Sequence, residues 1–194
     1  MKKTILEGEW LFVVKDFLTH LECESYILDS ENRGFEDAIQ VAGPGAEIFK
    51  EIRNNARLLF DDQALAQNWW AKIAPLIPQR PNGRVAVGLN DRFRFYRYDV
   101  EEKFQPHYDL PFERPNGDQS ELTLMVYLNE AYGGGETVFY TPAGVERFRV
   151  SPTAGMALVF PHAEYHEGAA VSSGRKYVLR TDVMFSQSRR FVLD

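Results

Sequence analysis

The sequence predicts a mainly β protein with its helices placed first, an α+β chain whose core is a sandwich or jelly roll. Three observations predict it. Capped amphipathic segments occur only before Pro81. After it, short apolar stretches follow one another with Gly and Pro between them, the pattern of many short strands. Aromatic side chains are abundant, 14 Phe and 9 Tyr, and these favour a pleated surface. A length of 194 residues fits one domain over 1–194, with helical support over about 1–82 and a β core, sandwich or jelly roll, over about 83–190.

Thr19 followed by Glu22 reads as a capping box that opens a helix through about Leu28, with Cys23, Tyr26 and Ile27 on its buried side. The Gly and Pro content of residues 34–46 predicts a loop, and 47–60 read as mixed or extended. Asp62 is a candidate cap for a second helix. Leu65, Trp69, Ile73 and Leu76 recur at three- and four-residue spacing, a core-facing stripe that Pro78 and Pro81 stop. This makes Trp69 and Trp70 packing residues. In 85–98, Phe93 and Phe95 alternate with Arg92, Arg94, Tyr96 and Tyr98. Further strands are predicted over 121–128, 137–140, 146–150, 156–160 and 176–185, with Gly133–Gly135 as a backbone turn.

A formal net charge of −6 argues against nucleic acid as a default partner. The one cysteine, Cys23, can form no internal disulfide, and the expected setting is reducing and cytoplasmic. No signal-peptide core is expected behind Met1-Lys2-Lys3, and no run approaches the roughly 18 apolar residues of a membrane span.

His107 and Asp109 form a His-x-Asp pair, and His166 stands alone further on. On an extended segment both members of the pair point to one face. Two imidazoles and one carboxylate leave several positions of a metal open, which suits a non-haem Fe(II) centre, although Zn, Mn or Co fit by ligand type alone. His162 is a rival for His166. Lys176, Val178 and Arg180 share one strand face. If it looks inward, two buried cations need an anionic partner; if outward, they meet solvent.

Ordered stretches extend these signals. They are Arg97–Asp109 (RYDVEEKFQPHYD), Leu124–Asn129 (LMVYLN), Gly134–Phe139 (GGETVF), Pro152–Phe160, and His166-Glu-Gly168 through Gly174-Arg-Lys176-Tyr177. With Asp16–Cys23 before them, they cover most of 11–186 and resemble the Fe(II)- and 2-oxoglutarate-dependent dioxygenases of the prolyl 4-hydroxylase-like family. The resemblance implies a double-stranded β-helix, a cupin-like jelly roll. It implies that His107, Asp109 and His166 hold Fe(II), with 2-oxoglutarate and O2 as cosubstrates and ascorbate as a candidate reductant. Lys176 matches the basic residue that meets the distal carboxylate of 2-oxoglutarate. Tyr127 matches a tyrosine that bonds that carboxylate, and Tyr98 one that lines the pocket. Where the family often has Tyr, this chain has Phe104, so no hydroxyl is offered there. The Asp109 carboxylate implies hydroxylation, since related halogenating enzymes lack it.

Alternation from Tyr98 puts Tyr96, Arg94 and Arg92 on its side. Arg94 or Arg180 is therefore a candidate for an anionic group, either of the substrate or the C1 carboxylate of 2-oxoglutarate. Arg53 and Asn55 are candidate substrate contacts, with a turn as the plain alternative. The expected activity is hydroxylation of an unactivated C–H bond with release of succinate and CO2. The substrate is a prolyl residue of a protein or peptide, or else a free amino acid or other small metabolite. The competing class is a cupin-like metal-binding protein without oxygenase activity, or a hydrolase using Glu136 or Glu164 as general base.

Overall fold

The computed structural model describes residues 1–37, 52–78 and 84–186. The chain opens with a hairpin, β1 (Lys2–Glu7) and β2 (Leu11–Lys15), then α1 (His20–Arg33) and the short β3 (Glu36–Asp37). After β4 (Ala56–Asp61) and α2 (Gln63–Ile73) come β5 (Ala86–Leu89), β6 (Arg92–Tyr98), β7 (Phe104–His107) and β8 (Gln119–Tyr127). The chain continues through β9 (Gly133–Gly134), β10 (Thr137–Tyr140), β11 (Glu146–Val150), β12 (Ala157–Pro161), β13 (Tyr165–Gly168), β14 (Val171–Ser173) and β15 (Lys176–Phe185).

The Thr19–Glu22 box caps α1 reciprocally, and the helix runs past Leu28 to Arg33, where Gly34 ends it. Cys23 is buried, with Tyr26 and Ile27 against the same core. Asp62 caps α2 by accepting from the Leu65 amide at 2.9 Å. That helix ends at Ile73, short of Pro78, because Pro75 tightens the chain into a 3-10 turn over Ala74–Leu76. Of the loop expected over 34–46, Glu36–Asp37 instead pairs with β4; the remainder from 38, residues 47–51 and Pro81 lie outside the described residues.

Nine strands form one sheet, in the order β1-β2-β12-β8-β15-β6-β4-β3 with β5 also on β15. A smaller sheet runs β11-β10-β13-β7. The stretch expected to be helical thus also supplies β1 to β4 to the large sheet. Alternation sorts the large sheet's side chains into two cores. Phe93 and Phe95 of β6, Leu124 of β8 and Leu179 of β15 pack on one face with α1 and α2, where Trp69 meets Phe17 edge-on at 5.3 Å. Tyr96, Tyr98, Tyr127 and Val178 pack on the other face with Phe139 and Val150 of the small sheet. Two sheets closing over one core make the jelly roll that the sequence predicts.

Gly155 ties α1's entry to this frame. Its carbonyl accepts from the amides of Phe17 and Leu18 at 3.0 and 3.1 Å, and its φ is +76°. A Cβ there would lie 2.1 Å from the Leu18 carbonyl oxygen, so only glycine fits.

Candidate metal centre and its pocket

His107 ends β7 and His166 lies in β13, and the two are direct partners in the antiparallel register. Pairing across the small sheet brings their rings to 4.3 Å between centroids. Asp109 lies just beyond β7, with its amide donating to the His162 carbonyl at 3.1 Å. The ligand atoms of His107, Asp109 and His166 all lie within 4.8 Å of one another.

Both imidazoles are oriented from behind. His107 Nδ1 is 2.7 Å from the Gln105 carbonyl and His166 Nδ1 is 2.9 Å from that of Glu164. A carbonyl only accepts, so each Nδ1 carries the proton and each Nε2 keeps a bare lone pair. Those Nε2 atoms face Asp109, His107 at 3.7 Å from Oδ1 and His166 at 3.9 Å from Oδ2. Burial, with His166 nearby, pushes His107 down to about 3, and burial lowers His166 as well, so both are neutral donors at neutral pH. Burial alone would raise the Asp109 carboxyl, but Arg180, then His166 and His107, hold it below the usual carboxylate range. Two neutral imidazoles and an ionised carboxylate fit a divalent cation.

Phe104 has no hydroxyl to offer and instead stacks on His107, 3.5 Å between centroids at 17°. His162 does not join the triad. Its two ring nitrogens are used by Thr123 Oγ1 at 3.1 Å and Ser120 Oγ at 3.0 Å.

The inward option holds for the β15 face. Lys176 pairs in register with Tyr98, Val178 with Tyr96 and Tyr127, and Arg180 with Arg94 and Met125. Tyr98, Met125, Thr123, His166, Lys176 and Arg180 line one pocket between the sheets. Lys176 is 1 % exposed, with the Tyr98 and Tyr127 rings 5.0 and 5.5 Å from Nζ. It donates to the Gly135 carbonyl at 2.6 Å, and burial pushes its ammonium down to about 7. The Tyr127 hydroxyl is 2.7 Å from Thr137 Oγ1. A buried cation with no carboxylate at ion-pair distance among the described residues, Glu136 acting on it only from further off, suits an anion in the pocket that His107 and His166 also line. Gly133–Gly135 is more than a turn: β9 pairs with β14, and Gly135, at φ +69°, lies against the Lys176 stem.

Arg180 holds a protein carboxylate. Its NH1 is 2.7 Å from Asp109 Oδ1, and NH2 reaches Thr123 at 3.2 Å and Asp182 at 3.3 Å; its Nε is buried without a partner. Arg94 pairs with Asp182 at 3.0 Å and is not among the lining residues, and Arg92, exposed, pairs with Asp61. Arg53 lies 4.5 Å from the ring centroids of both Tyr96 and Phe104. Asn55 is fully buried: its Oδ1 accepts from Arg53 Nε at 2.7 Å and its Nδ2 donates to the Ala56 carbonyl, so it supports Arg53 from behind. Thr123 and Ser120 were not among the expected site residues. Counting by twos from Tyr127 along β8 reaches Met125 and Thr123, which is the signal that finds the first of them.

Residues 93–181, which contain the triad and Lys176, match the model of the 2OG-Fe(II) oxygenase superfamily. Among curated relatives, probable prolyl 4-hydroxylase 3 of Arabidopsis thaliana is 31 % identical over 195 residues, covering 86 % of this chain and 66 % of the relative. Prolyl 4-hydroxylase 5 of the same plant is 42 % identical over 137 residues, covering 68 % and 45 %. Probable prolyl 4-hydroxylase 7 is 23 % identical, and the chain spans about half of its length (52 %). Among solved structures, a viral collagen prolyl hydroxylase from Paramecium Bursaria Chlorella virus-1, in complex with 2OG, superposes with a TM-score of 0.65 at 21 % identity, covering 93 % of this chain and 98 % of that one. A Trichoplax adhaerens prolyl hydroxylase in complex with a hypoxia inducible factor peptide gives 0.69 at 14 %, covering 91 % and 84 %. The structural likenesses bear out the jelly roll. The matched segment and the curated relatives show that the chain belongs to the 2OG-Fe(II) oxygenase superfamily and is prolyl 4-hydroxylase-like.

Proposed function

We propose that the chain is a 2-oxoglutarate-dependent hydroxylase, one catalytic domain in which His107, Asp109 and His166 hold Fe(II). The observation that carries this reading is Lys176: a buried ammonium without a carboxylate partner, in the pocket that His166 and Arg180 also line. Fe(II) with 2-oxoglutarate and O2 supplies the oxidising chemistry, converting a substrate C–H to an alcohol with release of succinate and CO2. The chain's own residues do the rest. Lys176 holds the distal carboxylate of 2-oxoglutarate, with Tyr98 and Tyr127 forming the walls around its ammonium. Phe104 covers one face of the His107 ring. Arg180 fixes Asp109, and its unpartnered Nε–H is available to the metal-proximal carboxylate of the cosubstrate.

The substrate reading is a prolyl residue of a protein or peptide. It is supported by the prolyl hydroxylase relatives and by exposed apolar side chains beside Asp109, with Tyr108 47 %, Leu110 84 % and Phe112 37 % exposed. A free amino acid is the second reading, favoured by Arg53, whose NH2 is buried without a hydrogen-bond partner. The hydrolase reading loses Glu164 as a base, because that carboxylate is bound to Arg147 at 2.6 Å. Buried Cys23, its thiol pushed up to about 11 by burial, supports a structural cysteine in a reducing, cytoplasmic setting. Among the described residues no helix is long and apolar enough to cross a membrane.

The test is a screen of proline-containing peptides and free amino acids against the Fe(II)-loaded protein. A true substrate raises succinate release and gains one oxygen by mass spectrometry. Succinate release that no candidate stimulates, with no mass gain, removes the hydroxylase reading.

A further inference from the structure

The carboxylate of Asp109 is gripped at both oxygens. Arg180 NH1 is 2.7 Å from Oδ1, and Thr123 Oγ1 is 2.5 Å from Oδ2. The Thr123 hydroxyl also lies 3.2 Å from Arg180 NH2 and 3.1 Å from His162 Nδ1. It has a single proton to give. The ionised carboxylate only accepts and the guanidinium only donates, so the hydroxyl donates to Asp109 and accepts from Arg180. It must then also accept from His162, which puts the imidazole proton on Nδ1. Nε2 is left bare and accepts from Ser120 Oγ at 3.0 Å, and Ser120 Oγ accepts from the Phe112 amide at 2.8 Å. Every direction in the string from Phe112 to Asp109 is fixed by the charges at one end. The string is buried throughout, with Thr123 0 %, Ser120 1 %, His162 6 % and Asp109 8 % exposed.

His162 also holds Asp109 through the main chain, accepting its amide at 3.1 Å, while its own amide donates to the Glu121 carbonyl at 3.0 Å. The terminal torsion of an aspartate is broad and costs little to turn. We infer that His162 is a positioning residue for the metal centre: acting through Thr123, it locks the Asp109 carboxylate so that its remaining lone pairs face the gap between His107 and His166. This rests on the proposed metal reading of the triad. Outer partners of metal ligands typically carry about 10- to 100-fold in metal affinity.

The test measures Mn(II) binding by calorimetry without cosubstrate. Thr123→Val removes only the hydroxyl, and His162→Phe keeps a ring without donors. His162→Asn places an amide where Nδ1–H stood. The expected result is a loss of about 10- to 100-fold in affinity for the first two, with His162→Asn closer to the wild type. Equal affinity in wild type, Thr123→Val and His162→Phe overturns the inference and leaves the metal site standing. A wild type that binds no Mn(II) overturns the metal reading and the inference with it. Nitrogen-15 NMR of His162 in the metal-free protein gives a readout that needs no variant to fold: an Nδ1–H neutral tautomer is expected, and an Nε2–H tautomer contradicts the string.

Discussion

Lys176 reaches the carbonyl of Gly135 at 2.6 Å and meets no carboxylate among the described residues. Its ammonium is pushed down to about 7 by burial, against about 10.4 in an unfolded chain. Between those values the unfolded chain holds a proton that the folded one does not, so stability rises with pH across that window. Below it the cost of the buried charge is present in full. Lys176→Met is therefore expected to melt higher than the wild type near pH 6.5 without cosubstrate, with the gap closing toward pH 10. The same variant loses at least about 2 kcal/mol of 2-oxoglutarate binding, roughly 30-fold, because a buried charged partner is gone. A variant less stable than the wild type at every pH contradicts the account of this side chain.

Arg53 rests on the faces of Tyr96 and Phe104 with its NH2 unpartnered. Arg53→Ala is expected to raise the apparent KM for substrate about tenfold or more, the worth of one charge-assisted contact of about 1.5 kcal/mol. The KM for 2-oxoglutarate should stay within about twofold. Steady-state kinetics varying each in turn separates the two; a change confined to 2-oxoglutarate assigns Arg53 to the wrong ligand.

Acid should loosen the metal-free protein early. His107 is pushed down to about 3 by burial, so between about 6.5 and 3 the unfolded chain takes up a proton that the folded protein refuses. Stability is lost as pH falls through that window. The depressed Asp109 carboxyl adds its loss only below about 3.8, where an unfolded aspartate protonates. Urea unfolding from pH 7 to 4.5 should show a falling free energy, with a shallower slope in His107→Phe. A flat profile, or equal slopes, contradicts the buried neutral imidazole.

The helix caps and the parity of β6 and β15 were legible because they are local: a capping box needs four residues, and alternation needs one strand. The hairpin of β1 and β2 was not. Leu11–Val14 is a short continuous apolar run, which periodicity alone does not assign, and exposed Ile5 and Leu6 lie on an edge strand. β7 was hidden by Pro106, a residue that argues against a strand interior. The triad was readable from its residue types and order, but its closeness comes from the His107–His166 register. The role of Thr123 was not readable. It depends on Leu122 pairing with Pro161, which carries His162 to the same end of the sheet as Asp109. No local pattern reports a contact of that kind.

The proposed function joins the triad and Lys176 in one site for Fe(II) and 2-oxoglutarate. Anaerobic titration of the Fe(II)-loaded protein with 2-oxoglutarate tests it most directly. The expected result is a visible charge-transfer band that saturates with one equivalent in the wild type, needs much higher 2-oxoglutarate in Lys176→Met, and is lost in Asp109→Ala. The absence of a band in the wild type, with no succinate formed on admitting air, would contradict it.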